Sequence, residues 1–428
     1  MDINGDMKEK IKMINPKTNE RELCYLIYVD KIEEIPGRDF TECAVIGGWK
    51  TLVKKGVFKP GDIGIYIEVD SQTPETPPFE FLSKYHYKVK TQKFKTFYSQ
   101  GLLMHPSDFG WTLTNDMQPQ GVIDNNKDIH FVNDDSRFLT KQLGITYAVA
   151  EDNKRKAPSA DKYKKMAQRH PDLFKKSWAR WMMKRDWGKK VMFFLFGKAK
   201  DKRGGWPQWV TKTDEERCQN MPWLFNDPDW HNTKWIATEK IDGTSTTFTL
   251  HRGKGFHKPE FYVCSRNVCF DTPDKADKCF YESNVYLEMA EKYNIRKTLE
   301  YLLENTPDAN FVTIQGEIYG DGIQKRDYSL GTGEHKFMAF NLIFGTNTFT
   351  QRMNPSIMTA TLVPLGIPCV PIISETFLLP ETCDELLNIA TGKSAVDGLP
   401  REGIVFRDKN GERSFKAVSN EFLMKYHG

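Results

Sequence analysis

Thr238-Glu239-Lys240-Ile241-Asp242-Gly243-Thr244-Ser245 follows a strand-like apolar run, Trp235 to Ala237, with an amine, a carboxylate and a glycine in quick succession. A lysine that attacks phosphorus must be partly neutral, and a site rich in cations or divalent metal would lower its pKa from about 10.4. Asp242 and Gly243 suit a tight turn at the strand end, which would fix the amine in place. A four-residue KxDG run also fits a solvated surface turn. Asp242 stands open between binding a metal and shaping that turn, and Glu239 between contacting a ligand and facing solvent.

A series of further elements follows in order and together describes a nucleotide site. Cys264-Ser265-Arg266-Asn267 ends a strand-like run with a guanidinium and an amide for phosphate or ribose. Gly316-Glu317-Ile318-Tyr319-Gly320 ends another with a carboxylate that suits a ribose hydroxyl. Phe337-Met338-Ala339-Phe340-Asn341 offers aromatic rings for a purine, with core packing as the competing role for Phe337. Glu402-Gly403-Ile404-Val405-Phe406-Arg407 adds a carboxylate suited to a metal-bound water, and Ser414-Phe415-Lys416 a cation for the α-phosphate. Glu317 and Glu402 sit against apolar runs, so each is expected to be partly buried and to need a partner.

This order and spacing resemble the covalent nucleotidyltransferase superfamily, the polynucleotide ligases and RNA capping enzymes, from about Lys212 to the C-terminus. Within it the chain is most similar to the RNA ligases. The resemblance implies that Lys240 carries AMP from ATP, that Glu239, Arg266, Glu317, Phe337 and Lys416 contact the nucleotide, and that Glu402 and Asp242 serve Mg²⁺ or Mn²⁺. It also implies RNA ends, or a nicked duplex with an RNA 3′-OH strand, as partners, and joining of that 3′-OH to a 5′-phosphate in nick sealing or repair. Ser414 departs from the pattern, standing where many members have a second lysine. A minimal DNA ligase, a GTP-using capping-type enzyme and a non-catalytic RNA-binding protein on the same scaffold are the alternatives. Capping enzymes and DNA ligases typically continue past the last motif into a further OB domain, whereas here the chain runs only from Lys416 to Gly428.

Upstream, from Glu22 to about Gly110, short β-branched and aromatic runs alternate with turn signals such as Lys59-Pro60-Gly61-Asp62, describing a small all-β barrel or sandwich. The segment is similar to the OB-type module that precedes the ligase domain in one RNA ligase branch, family 5. Between Lys88 and Lys95 cations alternate with apolar residues, so Lys88, Lys90, Lys93 and Lys95 are candidates for an RNA-binding surface. A lysine-guarded edge strand is the equally simple alternative.

The segment from Lys154 to Arg203 holds 18 Lys/Arg and 4 Asp, a balance of +14 in a chain whose net charge is +4 (61 Lys+Arg, 57 Asp+Glu). Such a concentration attracts polyanions, nucleic acid first among them, though a solvated helical face would look the same. Its lysines, Met182, Met183, Trp178, Trp181 and Trp187 predict a helical connector, with the tryptophans as packing anchors or base-stacking platforms.

The expected architecture is α+β. An OB-type barrel spans 1–150, a basic helical connector 151–205, and a nucleotidyltransferase domain of antiparallel sheets and helices 206–428. At 428 residues and 39% hydrophobic the chain has apolar material for two or three cores. Eight cysteines without CxxC pairs or clustered histidines suggest neither a zinc site nor a disulfide framework. The polar start and the absence of a long apolar run predict an intracellular, soluble protein, and a monomer is expected.

Overall fold

The computed structural model describes residues 21–94, 97–111, 122–123, 129–130, 138–147, 176–183, 185, 188, 191–192, 206–207, 209–210, 212, 215–253, 259–266, 269–270, 284–346 and 349–427. Its N-terminal strands are β1 (Cys24–Tyr28), β2 (Lys31–Glu34), β3 (Thr41–Ile46), β4 (Trp49–Lys54), β5 (Ile63–Ile67), β6 (Ser71–Gln72), β7 (Gln92–Phe94), β8 (Phe97–Ser99) and β9 (Leu102–Met104). They pair antiparallel as β1–β5–β9, β2–β3–β4 and the hairpin β7–β8. The two longer sheets bury Tyr25, Ile27, Ala44, Ile46, Trp49 and Tyr66 against each other. The predicted turn before β5 is present: Asp62 N–H donates to the Lys59 carbonyl at 3.0 Å, and Gly61 takes the φ of +91° that a side chain would resist. Three two-residue strands follow, β10 (Val122–Ile123), β11 (Ile129–His130) and β12 (Thr146–Tyr147).

The C-terminal part holds two antiparallel sheets. Strands β13 (Trp235–Lys240), β19 (Ile372–Phe377), β20 (Gly403–Arg407) and β21 (Ser414–Val418) form the order β19–β13–β20–β21. Strands β14 (Thr244–His251), β15 (Glu260–Ser265), β16 (Phe311–Gly320), β17 (His335–Gly345) and β18 (Thr350–Arg352) form β15–β14–β16–β17–β18. Each sheet has its own apolar core on the face away from the other. The five-stranded sheet is backed by helices Val285–Lys292, Ile295–Glu304 and Pro355–Leu362. The four-stranded sheet is backed by helix Cys383–Ala390 and the residues around Trp230.

Helices Val285–Lys292 and Ile295–Glu304 are separate because Asn294 between them adopts φ +49°, a left-handed conformation that asparagine tolerates and that ends the first helix. Of the basic connector, helix Ser177–Met183 is described, and Trp178 and Trp181 are half-exposed on it, with the Arg185 guanidinium 3.7 Å over the Trp181 ring. Trp187 and most of 154–203 lie outside the described residues.

Candidate active site

The chain leaves the four-stranded sheet at Lys240 and enters the five-stranded one at Thr244, so the turn Ile241-Asp242-Gly243 crosses the seam between them. Gly243 is required there: a Cβ would run into the Ile318 carbonyl oxygen of β16 and the Glu317 side chain. Lys240 lies opposite Gly403 on β20, which places the preceding residue, Glu402, beside it. The Lys240 Nζ stands 2.7 Å from Glu402 Oε1 and 2.8 Å from Oε2. Glu317 reaches the same seam from β16, where it lies opposite Ser245.

The site is therefore richer in carboxylates than in cations. Burial pushes the Lys240 amine down, but Glu402, then Glu317 and Asp242, outweigh it and hold the amine above its ordinary range. The expectation of a partly neutral lysine is thus corrected for the ligand-free protein. Burial also raises the Glu317 carboxyl to about 8, with Lys240 opposing and Glu402 and Asp242 adding to it. Asp242 rises to about 8 for the same leading reason, with Glu402 contributing, and its Oδ2 is buried without a hydrogen-bond partner.

Strand alternation decides the remaining nucleotide candidates. Glu317 lies opposite Met338 on β17, so Met338 shares its face, whereas Phe337 lies opposite Ile318 and points the other way. Phe337 is fully buried against Phe248 and Tyr293, with ring centroids 5.4 and 5.9 Å away. Its role is core packing, and the stacking role expected for it is overturned. Phe340, half-buried beside Ile241, Tyr319 and Tyr328, is the aromatic of that motif on the seam side. Glu239 is buried and accepts a hydrogen bond from the Ala395 N–H at 2.8 Å, which removes the solvent-facing alternative. Arg266, exposed at the end of β15, contributes favourably to the Glu317 carboxylate, while Asn267 lies outside the described residues.

Lys416 projects from β21 on the face it shares with Val405, Thr238 and Lys240, as the pairing of Val405 with both Thr238 and Lys416 requires. Two residues along, Ser414 donates to Glu215, a residue the sequence reading did not single out. Glu215 also pairs with Arg407 at 2.8 Å and Arg352 at 3.3 Å, tying the two sheets together. Its neighbour Glu216 pairs with Arg21, just before β1, at 3.2 Å and accepts from the Asn220 amide at 2.7 Å. Acid-base pairs buried this far apart in sequence leave no local pattern.

In the N-terminal part, Lys88 and Lys90 alternate with buried Val89 and Thr91, and Lys93 projects from β7 with its amine 5.5 Å over the Tyr98 ring. Phe94 and Phe97 stack at 5.8 Å beneath the Arg38 guanidinium. Lys95 lies outside the described residues. Among the described residues no three His, Cys, Asp or Glu side chains form a ready metal cluster, no cysteine is in a disulfide, and no helix is long and apolar enough to cross a membrane.

The RNA ligase family matches residues 233–427, and an OB-fold domain matches residues 23–106. No curated protein matches. Among solved structures, an apo mutant of Naegleria gruberi RNA ligase is similar at TM-score 0.64 and 23% identity, covering 95% of this chain and 98% of that one. A second mutant of that enzyme, with ATP and Mn, is similar at TM-score 0.65 and 24% identity over 95% of this chain and 100% of that one. A third form, with PPi, stands at 0.63 and 23% over 95% and 99%. At these identities the structures establish the shared fold. The family match spans the whole lysine-bearing seam, from before Lys240 to beyond Lys416, and on that ground residues 233–427 are an RNA ligase domain, preceded by an OB-fold domain at residues 23–106.

Proposed function

We propose that the chain is an ATP-dependent RNA ligase that joins a 3′-hydroxyl to a 5′-phosphate through AMP held covalently on Lys240, in nick sealing or RNA repair. The observation that carries this is Lys240 at the seam of two sheets, paired through both oxygens of Glu402 and flanked by Glu317 and Asp242. In the first transfer Lys240 Nζ forms a bond to the α-phosphorus, the bond from that phosphorus to the β-phosphate bridging oxygen breaks, and pyrophosphate leaves. The lysine proton has a ready acceptor in Glu402. The RNA 5′-phosphate then takes the AMP, and the 3′-hydroxyl displaces it.

The residues present fit a divalent cation. Asp242 brings an unpartnered buried carboxylate oxygen and Glu402 a second carboxylate, the hard oxygen donors that Mg²⁺ or Mn²⁺ prefer. Such an ion would neutralise charge at the α-phosphate. Lys416 and Arg266 would bear on the phosphates from β21 and β15, Glu317 would accept a ribose hydroxyl, and Phe340 in place of Phe337 would support the purine. The solved Naegleria relatives with ATP and Mn support this assignment.

The division into an OB-type barrel (1–150), basic connector (151–205) and nucleotidyltransferase domain (206–428) completes the reading, in an intracellular monomer. RNA would lie across Lys88, Lys90, Lys93 and Lys95 beside the Phe94–Phe97 stack. Purified protein incubated with α-labelled ATP or GTP and Mg²⁺ or Mn²⁺, then denatured and resolved by electrophoresis, should carry label from ATP. Covalent AMP persisting in Lys240→Ala would refute the assignment, and label from GTP alone would favour capping chemistry.

A further inference from the structure

The connection between β16 and β17 carries the pattern Gln324-Lys325-Arg326-Asp327-Tyr328, in which Gln324, Arg326 and Tyr328 turn inward while Lys325 and Asp327 are exposed. All three inward side chains bind groups that flank the Lys240–Glu402 pair. The Tyr328 hydroxyl accepts from the Asp242 N–H at 3.0 Å and donates to the Asp242 carbonyl at 2.9 Å. The Gln324 amide donates to the Gly243 carbonyl at 2.9 Å. Three hydrogen bonds thus fix the backbone immediately after the nucleophile.

Arg326 holds the other flank. Its guanidinium, 2% exposed, binds Asp397 at 2.6 Å and donates to the Pro400 carbonyl at 2.7 Å, two residues before Glu402. It also lies 4.5 Å over the Tyr328 ring, so the grip on the Asp242 turn and the grip on the 397–400 loop share one contact. The same loop returns to the nucleophile strand through Ala395 and Glu239.

We propose that Gln324, Arg326 and Tyr328 are positioning residues that set the distance and direction of Lys240 relative to Glu402, and hence the in-line approach of the amine to the α-phosphorus. None touches the reacting atoms. Loss of the clamp therefore lowers the rate of the lysine's attack more than it weakens nucleotide binding, because a small misplacement in a proximity-driven step costs orders of magnitude. Steps that bypass Lys240 as nucleophile are spared.

This rests on the reading of Lys240 as nucleophile. The test is single-turnover formation of covalent AMP by the full chain at varied ATP, alongside sealing of a chemically pre-adenylylated RNA strand. Tyr328→Phe, which removes only the hydroxyl, is expected to lower the maximal rate tenfold or more. The half-saturating ATP concentration and the pre-adenylylated sealing rate should stay within about threefold of wild type. Gln324→Ala, at a half-buried position, serves as the second variant should Tyr328→Phe not fold, with the same split at smaller size. A maximal rate within twofold of wild type in the folded variant, or an equal fall in both reactions, overturns the clamp while leaving the ligase reading intact. A wild-type protein that takes no label overturns the ligase reading and the clamp with it.

Discussion

Replacing Glu402 by Gln separates two consequences of the Lys240–Glu402 pair that oppose each other. An amine at its ordinary pKa of about 10.4 is roughly one part in a thousand neutral at pH 7.4, and Lys240 is held above that range, so the ligand-free protein stores its nucleophile in unreactive form. Breaking a buried ion pair costs about 3–5 kcal/mol, equivalent to two to four pH units at 1.36 kcal/mol per unit. The Lys240 and Glu402 side chains keep 26% and 13% of their exposure, so solvent screening reduces the expectation to about one to two pH units. In Glu402→Gln the amine should titrate that much lower, and at fixed pH Lys240 should acylate about 10- to 100-fold faster with a small amine-directed reagent, read by peptide mass spectrometry across pH 7–11. Formation of covalent AMP should nevertheless fall by 100-fold or more, because the carboxylate proposed to take the proton and to hold the metal is gone. Equal reagent reactivity in variant and wild type would refute the charge-storage reasoning.

Three further outcomes follow from the geometry. Because the Glu317 carboxyl titrates near 8 when folded and near 4.5 when unfolded, the folded form holds its proton longer and stability drains as pH climbs between those values. Glu317→Gln should therefore gain in melting temperature over wild type progressively from pH 5 to pH 8.5, and a pH-independent difference by calorimetry would contradict the assignment. Phe337→Ala should cost about 3–5 kcal/mol of stability, as a large aromatic lost from a core does, whereas Phe340→Ala should raise the ATP requirement with little change in melting temperature. Lys93→Glu should weaken binding of single-stranded RNA and flatten the dependence of log K on log salt by about one phosphate contact, and Phe94→Ala should cost about 1–3 kcal/mol without changing that slope; unchanged titrations would remove β7–β8 from the RNA path.

Strands with a strong apolar pattern were readable from the sequence. The strand-like run at Trp235 and those ending at the Cys264 and Gly316 motifs became strands Trp235–Lys240, Glu260–Ser265 and Phe311–Gly320. Ile372–Phe377 was passed over because it is an edge strand, paired only to β13, and Ser374, Glu375 and Thr376 on it are polar. Helix Pro355–Leu362 was missed for a related reason: its Thr359 and Thr361 read against helix, and what holds it is packing of Met358 and Leu362 on β17. Pairing to β13 settled the first and packing on β17 the second, and neither is visible locally.

At the site itself the charged residues were legible and the aromatic was not, and the difference lies in what each demands of its surroundings. A carboxylate or amine written into an apolar strand must find a partner, so Lys240, Glu317 and Glu402 announced one another without any knowledge of geometry. A phenylalanine in an apolar strand is content on either face. Choosing between Phe337 and Phe340 required the register of β17 against β16, including the irregularity between Gln315 and Gly316, which no local pattern encodes. The same logic explains why Gln324, Arg326 and Tyr328 went unread: their alternation is plain, but what they hold is the Asp242 turn and the loop before Glu402, separated from them by about 80 residues on either side. On the proposed mechanism, a nucleophile that rests as a charged ion pair reacts only once ATP and a metal enter between Lys240 and its carboxylates. The backbone on both sides of that pair must therefore hold still while the pair opens, and that demand is what the buried hydrogen bonds at Asp242, Gly243 and Pro400 meet.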